Sequence, residues 1–188
     1  EDHFAGRWRD TPYEMVELCV LKEGARTAGG SRSSRTIYRG LLLKIGVPLA
    51  FEGVVVIRRD FGRLGNQLVE VMSGRSGLQP VPLPHEAFEK QFEVVTDGRA
   101  DLPALLSPPF LESLLELDRA QGGKGLTGAF LDGAFFLGLP VKRDLFEFGG
   151  LFRSVYRMTD DLHALLFQAT LPRRVIDALH GERPERVI

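Results

Sequence analysis

Cysteine is almost absent from this 188-residue chain: Cys19 stands alone, so no intrachain disulfide can form and the fold must rest on its core. Lysine is scarce as well. Only Lys22, Lys44, Lys90, Lys124 and Lys142 occur among 24 basic residues. The rest of the positive charge is arginine, whose planar fork suits carboxylate or phosphate. No run approaches the roughly 18 to 20 consecutive apolar residues of a membrane span, and no signal peptide opens the chain. A formal net charge of -1 gives neither a strongly basic nucleic-acid footprint nor an acidic solvating tail, and no nucleic acid is expected as partner. The four histidines, His3, His85, His163 and His180, are scattered, and with one cysteine they make no ligand spacing, so neither a metal nor a cofactor is expected.

What is present is ordinary for a globular protein: 44% hydrophobic and 26% charged residues in a length near one domain. Residues 1–180 are expected to form a single soluble α+β domain, followed by a polar tail over 181–188. The chain opens on Glu1, which leads us to expect an excised or processed piece with any membrane anchor upstream.

The first half reads as strands joined by glycine-rich turns. Tyr13 to Lys22 alternates, with Val16, Leu18 and Val20 on one face, and Thr36 to Ile45 follows the flexible loop TAGGSRSSR. Phe51 to Ile57 is apolar on both faces and predicts a central strand that ends at Arg58 and Arg59. A weaker strand is expected over Leu68 to Met72, and PVPLP at 80–84 carries the chain across the surface. Phe88 and Phe92 lie one helical turn apart, and a strand then runs to the break at Asp97-Gly98. The clearest helix starts after residue 107. Ser107 can cap it, Pro108 suits its first position, and Phe110, Leu111, Leu114, Leu115 and Leu117 form its apolar stripe. Leu126 to Phe130 and Ala134 to Leu139 flank Asp132-Gly133, the signature of a tight hairpin. A second helical segment runs from about Thr159, restarts at Pro172 and stops at Gly181. The fold class is therefore α+β: a largely antiparallel sheet with the helix after residue 107 and the C-terminal helical segment packed on it.

Several motifs resemble catalytic signatures without their context. GGKGLTG at 122–128 contains G-x-G-x-x-G, but a helix precedes it and a strand follows, the reverse of a dinucleotide site. Its Gly-Lys lacks the Ser or Thr of a phosphate-binding loop. Asp60-Phe61-Gly62 spells a kinase tripeptide in a chain without the companion motifs. His85-Glu86-Ala87-Phe88-Glu89 has glutamate where a zincin needs its second histidine. Asp97 and Asp101 flank Arg99 in TDGRAD, and two neighbouring carboxylates could do acid–base work; a solvated turn with a local ion pair is the structural alternative.

Five stretches in order, IYRGLL (37–42), FEGVVVIRRD (51–60), FEKQFEVVTD (88–97), LLSPPFLESLLEL (105–117) and the hairpin at Asp132-Gly133, resemble the bacterial family catalogued as domain of unknown function 3137. The stretch GRADLPAL departs from that pattern, since family members more often carry Glu-Ala-Arg-Tyr-like residues before the leucines. The resemblance implies a domain that follows membrane-spanning helices and is held at the cytoplasmic face of a bacterial inner membrane. It brings no activity and no catalytic residues. The resulting expectation is a membrane-tethered binding or interaction domain without catalysis, and the alternative is an enzyme with a polar cleft near Asp97, Arg99 and Asp101. Candidate partners are anionic lipid headgroups or a membrane-associated protein. Arg32 and Arg35 in the loop, Arg39 in the next strand, and Arg58 and Arg59 at a strand end are the candidate anion contacts, provided the Arg32 loop folds toward Arg58.

Overall fold

The computed structural model describes residues 3–26, 32–59, 77–141 and 169–182. Eight strands among them are β1 (His3–Trp8), β2 (Thr11–Arg26), β3 (Arg32–Gly46), β4 (Val55–Arg58), β5 (Gln79–Pro80), β6 (Glu93–Thr96), β7 (Thr127–Leu131) and β8 (Ala134–Pro140). They form one sheet in the order β1-β2-β3-β8-β7-β4-β6-β5, antiparallel throughout. The helices are α1 (Glu86–Glu89), α2 (Leu102–Leu105), α3 (Pro108–Ala120) and α4 over 169–179. The α+β class, the antiparallel sheet and both expected helices are present.

The order of strands shows how the two halves of the chain interlock. After β3 the chain crosses to β4 and leaves a gap of two strand positions, which the late hairpin β7–β8 fills by pairing with β4 on one side and β3 on the other. Its turn uses Asp132 at φ 50° and Gly133 at φ 74°, the left-handed pair that a two-residue hairpin requires. Phe130 and Phe135 are register partners and face the helices, whereas Phe136 pairs with Ala129 on the other face. Adjacent strand residues must point to opposite sides, and the split between Phe135 and Phe136 follows from that. Phe136 is half-buried against a small second cluster of Val54, Val56, Val95 and Ala129.

The main core lies between the other sheet face and the helices. Leu41, Leu43, Ile45, Ile57, Phe130, Phe135 and Leu137 from the strands meet Phe110, Leu114 and Leu117 of α3 and Leu171 and Ile176 of α4. Val54 to Ile57 are buried on both faces, as a strand flanked on both edges requires. Gly181, at φ 78°, ends α4, with its N–H donating to the Ala178 carbonyl at 3.0 Å. A polar clasp then fixes this helix to the first hairpin. Trp8 donates Nε1–H to Asp177 at 2.8 Å, Arg9 pairs with the same carboxylate at 2.8 Å, and Arg173 lies 4.6 Å over the Trp8 ring.

Four local expectations change. β1 was not foreseen, because HFAGRW has no clean alternation; the turn at Arg9 and Asp10, both at positive φ, folds it onto β2. β2 is longer than Tyr13–Lys22, and the side it buries carries Met15 and Glu17 rather than Val16, Leu18 and Val20. Apolar residues occur on both faces of β2, and the side that turns toward the helices decides which are covered. Ser107 occupies the cap position of α3 but makes no side-chain cap hydrogen bond; its carbonyl accepts from Leu111 N–H at 3.0 Å. Finally, Arg32 and Arg35 belong to β3, not to a loop. The expected strand over Leu68 to Met72, the helix start near Thr159 and the Asp60-Phe61-Gly62 tripeptide lie outside the described residues.

Gly40 is the last β3 residue in register with β8, opposite Pro140, and a Cβ there would run into the Leu139 carbonyl oxygen. Gly40→Ala is expected to cost about 1 to 3 kcal/mol by forcing two backbones apart, read as a lowered urea midpoint. An unchanged midpoint would contradict this packing.

Candidate functional site

TDGRAD folds as a bracket on the edge of the core. Asp97 Oδ1 accepts from Val54 N–H at 3.1 Å and from Arg99 N–H at 3.3 Å, while Oδ2 accepts from Arg99 Nε and Nη2 at 3.1 and 2.7 Å. Thr96 Oγ1 donates to the Val54 carbonyl at 2.8 Å and accepts from Gly98 N–H at 3.2 Å. Gly53, at φ 83°, completes the fit, because a Cβ at that position would collide with the Asp97 carboxylate. Burial pushes the Asp97 carboxyl up, but the Arg99 side chain and the two backbone N–H donors outweigh it and hold the group below its ordinary value. Asp101 has a separate duty: it caps α2, accepting from Ala104 N–H at 3.4 Å. The two carboxylates therefore act on two different backbone segments.

The glycine-rich turn is held by a residue that sequence reading passed over. Asp118, buried on the flank of α3, accepts from Gly125 N–H at 2.9 Å. Arg59 reaches in from the end of β4, 3.4 Å from Asp118 Oδ2 and 2.5 Å from the Gly123 carbonyl. Gly122, Gly123 and Gly125 all have positive φ, so this segment is a helix stop leading into β7. Arg58 forms a two-bond pair with Glu93, at 2.8 and 2.9 Å. A hydrophobic neighbour with an acid at this end would have been a fair signal for Asp118: it is the one acid on the apolar side of the α3 pattern.

The remaining arginine candidates sit elsewhere. Arg35 and Arg39 are exposed on β3, and Arg32 begins that strand. β8 and β7 separate β3 from β4, which puts Arg35 and Arg39 on the order of 14 Å or more from Arg58 and Arg59 by strand spacing. The structure thus gathers Arg32, Arg35 and Arg39 on one element and Arg58 and Arg59 on another, and does not bring the two sets together. Beyond Val16 on β2 and before Arg39 on β3, the two strands pair only with each other among the described residues. They form a two-stranded arm on the order of 25 Å long. Exposed Val20, Leu21 and Lys22 lie on it together with exposed Cys19. Lys22 pairs in register with Arg35, and Arg26 with Arg32. Lys22 was missed as a candidate because only the register reveals what stands opposite it.

One apolar recess of ≈ 390 Å³ is lined by Val81, Leu83, His85, Leu102, Leu106 and Leu111 among others. Its single imidazole caps α1, with Nδ1 accepting from Phe88 N–H at 3.2 Å. A shallower trough of ≈ 750 Å³ beside it contains Arg58, Glu89, Lys90 and Glu93. Its charges are engaged: Arg58 with Glu93, Lys90 with Glu86 at 2.7 Å, and Glu89 with Leu83 N–H at 2.9 Å.

Compared with known proteins, residues 36–180 match the model of a family described as "Protein of unknown function (DUF3137)". No curated protein and no solved structure matches the chain.

The depressed Asp97 carboxyl sets a pH test. A group whose folded value lies below its unfolded one stabilises the fold above the unfolded value and loses that contribution as pH falls through the folded one. Asp97→Asn keeps the backbone acceptor but loses the charge, and is expected to be less stable at neutral pH by about 1 to 3 kcal/mol. That gap should close below about pH 4 as the parent carboxyl protonates. Denaturant unfolding of both proteins between neutral and acid pH checks it, and a gap independent of pH would contradict the bracket.

Proposed function

We propose that this chain, which belongs to the family described as Protein of unknown function (DUF3137), is a non-catalytic binding domain tethered at the cytoplasmic face of a bacterial inner membrane. The observation that carries this reading is the arm. Residues 20–26 and 32–37 run on past the β1 and β8 partners of the described sheet, and those whose burial is described are exposed or half-buried. A regular ribbon that runs beyond its partners in the described sheet offers strand edges for contact with something outside the domain. The acids that an enzyme would use point the same way. Asp97 is engaged by two backbone N–H groups and the Arg99 side chain, Asp101 caps α2, and the apolar recess is lined by leucines, prolines and a valine around one capping histidine. No helix among the described residues is long and apolar enough to cross a membrane.

Fractionation of cells that make the natural full-length protein tests the placement. The protein is expected in the inner-membrane pellet, with this domain cut by protease added to inverted vesicles and spared in intact spheroplasts. Recovery in the soluble fraction, or cleavage from the outer side, would overturn the reading.

A further inference from the structure

The geometry points to the β2–β3 arm as a contact for an anionic lipid surface, with exposed Lys22 and Arg35 at the headgroups and Leu21 and Val20 at the apolar boundary. This rests on the membrane-side placement above for its location in the cell, but not for its chemistry. The first argument is register. Lys22 stands directly opposite Arg35, and Arg26 opposite Arg32. Like charges in cross-strand register destabilise a ribbon. The exposed Lys22–Arg35 pairing is a cost that an anionic partner removes.

The second argument is where the charge lies. From residue 18 to 38 the sequence contains four cations, Lys22, Arg26, Arg32 and Arg35, against one acid, Glu23, in a chain whose formal total is -1. Glu17 is buried at the base of the arm, where it faces Leu41 in register. The excess is therefore concentrated on the projecting part. That concentration argues against a second copy of the chain on the same edge, because two arms would bring like charge to like charge.

The third argument separates a bilayer from other polyanions. Leu21 is 54% exposed and Val20 37% exposed, and they are neighbours on opposite faces of the arm, next to Lys22. Their position coincides with a register irregularity between Val20 and Leu21, a bulge that sharpens the local twist. A phosphate backbone has no use for these side chains, whereas a membrane interface accepts apolar groups below a ring of cations. Arg58 and Arg59, held by Glu93 and by Asp118 with the Gly123 carbonyl, stand outside this surface.

Vesicle sedimentation with the present chain tests the inference. Binding is expected to phosphatidylglycerol-containing vesicles at low salt, to weaken at physiological salt, and to be absent on pure phosphatidylcholine. Lys22→Gln and Arg35→Gln should each weaken it about fivefold, the value of one cation near a charged surface. Leu21→Ser should weaken it about tenfold without changing the salt dependence. Arg58→Gln should leave binding unchanged, and unaltered thermal unfolding of the arm variants shows that the fold is intact. Inorganic phosphate at matched ionic strength should not release the protein. Equal binding to neutral and anionic vesicles, release by phosphate, or competition by a DNA duplex together with an inert Leu21→Ser would each overturn the inference. Loss of vesicle binding with the full-length protein still in the inner-membrane pellet defeats the arm alone; the converse result defeats the tether alone.

Discussion

Phe110, Phe130 and Phe135 meet in the centre of the molecule, with ring centroids 4.7 to 5.7 Å apart, and the rest of the architecture depends on that contact. Each ring is fully buried, and the offset and edge-on arrangements suit the aromatic quadrupole. The contact joins α3 to the β7–β8 hairpin, and the hairpin in turn is the only bridge in the described sheet between β3 and β4. A one-residue slip in β8 would exchange Phe135 for Phe136 under the helix and turn the whole strand over. The aromatic triad thus fixes register as well as burial.

Its consequences extend to both ends of α3. At the C-terminal end, Asp118 holds Gly125 N–H and Arg59, so the helix stop, the start of β7 and the exit from β4 are tied at one buried carboxylate. At the N-terminal end, the Asp97 bracket and the Asp101 cap set α2 and the approach to Pro108. The polar residues that looked most like chemistry are consequently part of the scaffold. The β2–β3 arm continues beyond the point where Gly40 makes its last pairing with β8.

Sequence pattern revealed the elements whose cause is local. Pro108 followed by the Phe110–Leu117 stripe, the Asp132-Gly133 turn and the doubly apolar Val54–Ile57 run each specify their structure within a few residues. It revealed less wherever the cause is distant. No local feature says that β7–β8 inserts between β3 and β4, that Trp8 and Arg9 are held by Asp177 more than 160 residues away, or that Lys22 faces Arg35. The serine- and arginine-rich stretch read as a loop because Gly, Ser and Arg have little strand preference; pairing with β2 overrides that preference from Arg32 onward. Of the five candidate arginines, the structure places Arg32 and Arg35 on the arm, Arg39 at its base beside Val141, and Arg58 and Arg59 in ion pairs of the scaffold, a division that only strand order could expose.

The central proposal is that the β2–β3 arm contacts an anionic surface while the core stays as it is, and amide hydrogen exchange with and without phosphatidylglycerol vesicles tests it most directly. Without lipid, amides of Leu18 to Lys22 and Arg35 to Tyr38 should exchange faster than those of Leu41 to Ile45, which lie under the helices. With lipid, protection should rise on the arm and remain unchanged in α3 and the β7–β8 hairpin. An arm as protected as the core in solution, or lipid protection that falls on other elements, would contradict the account.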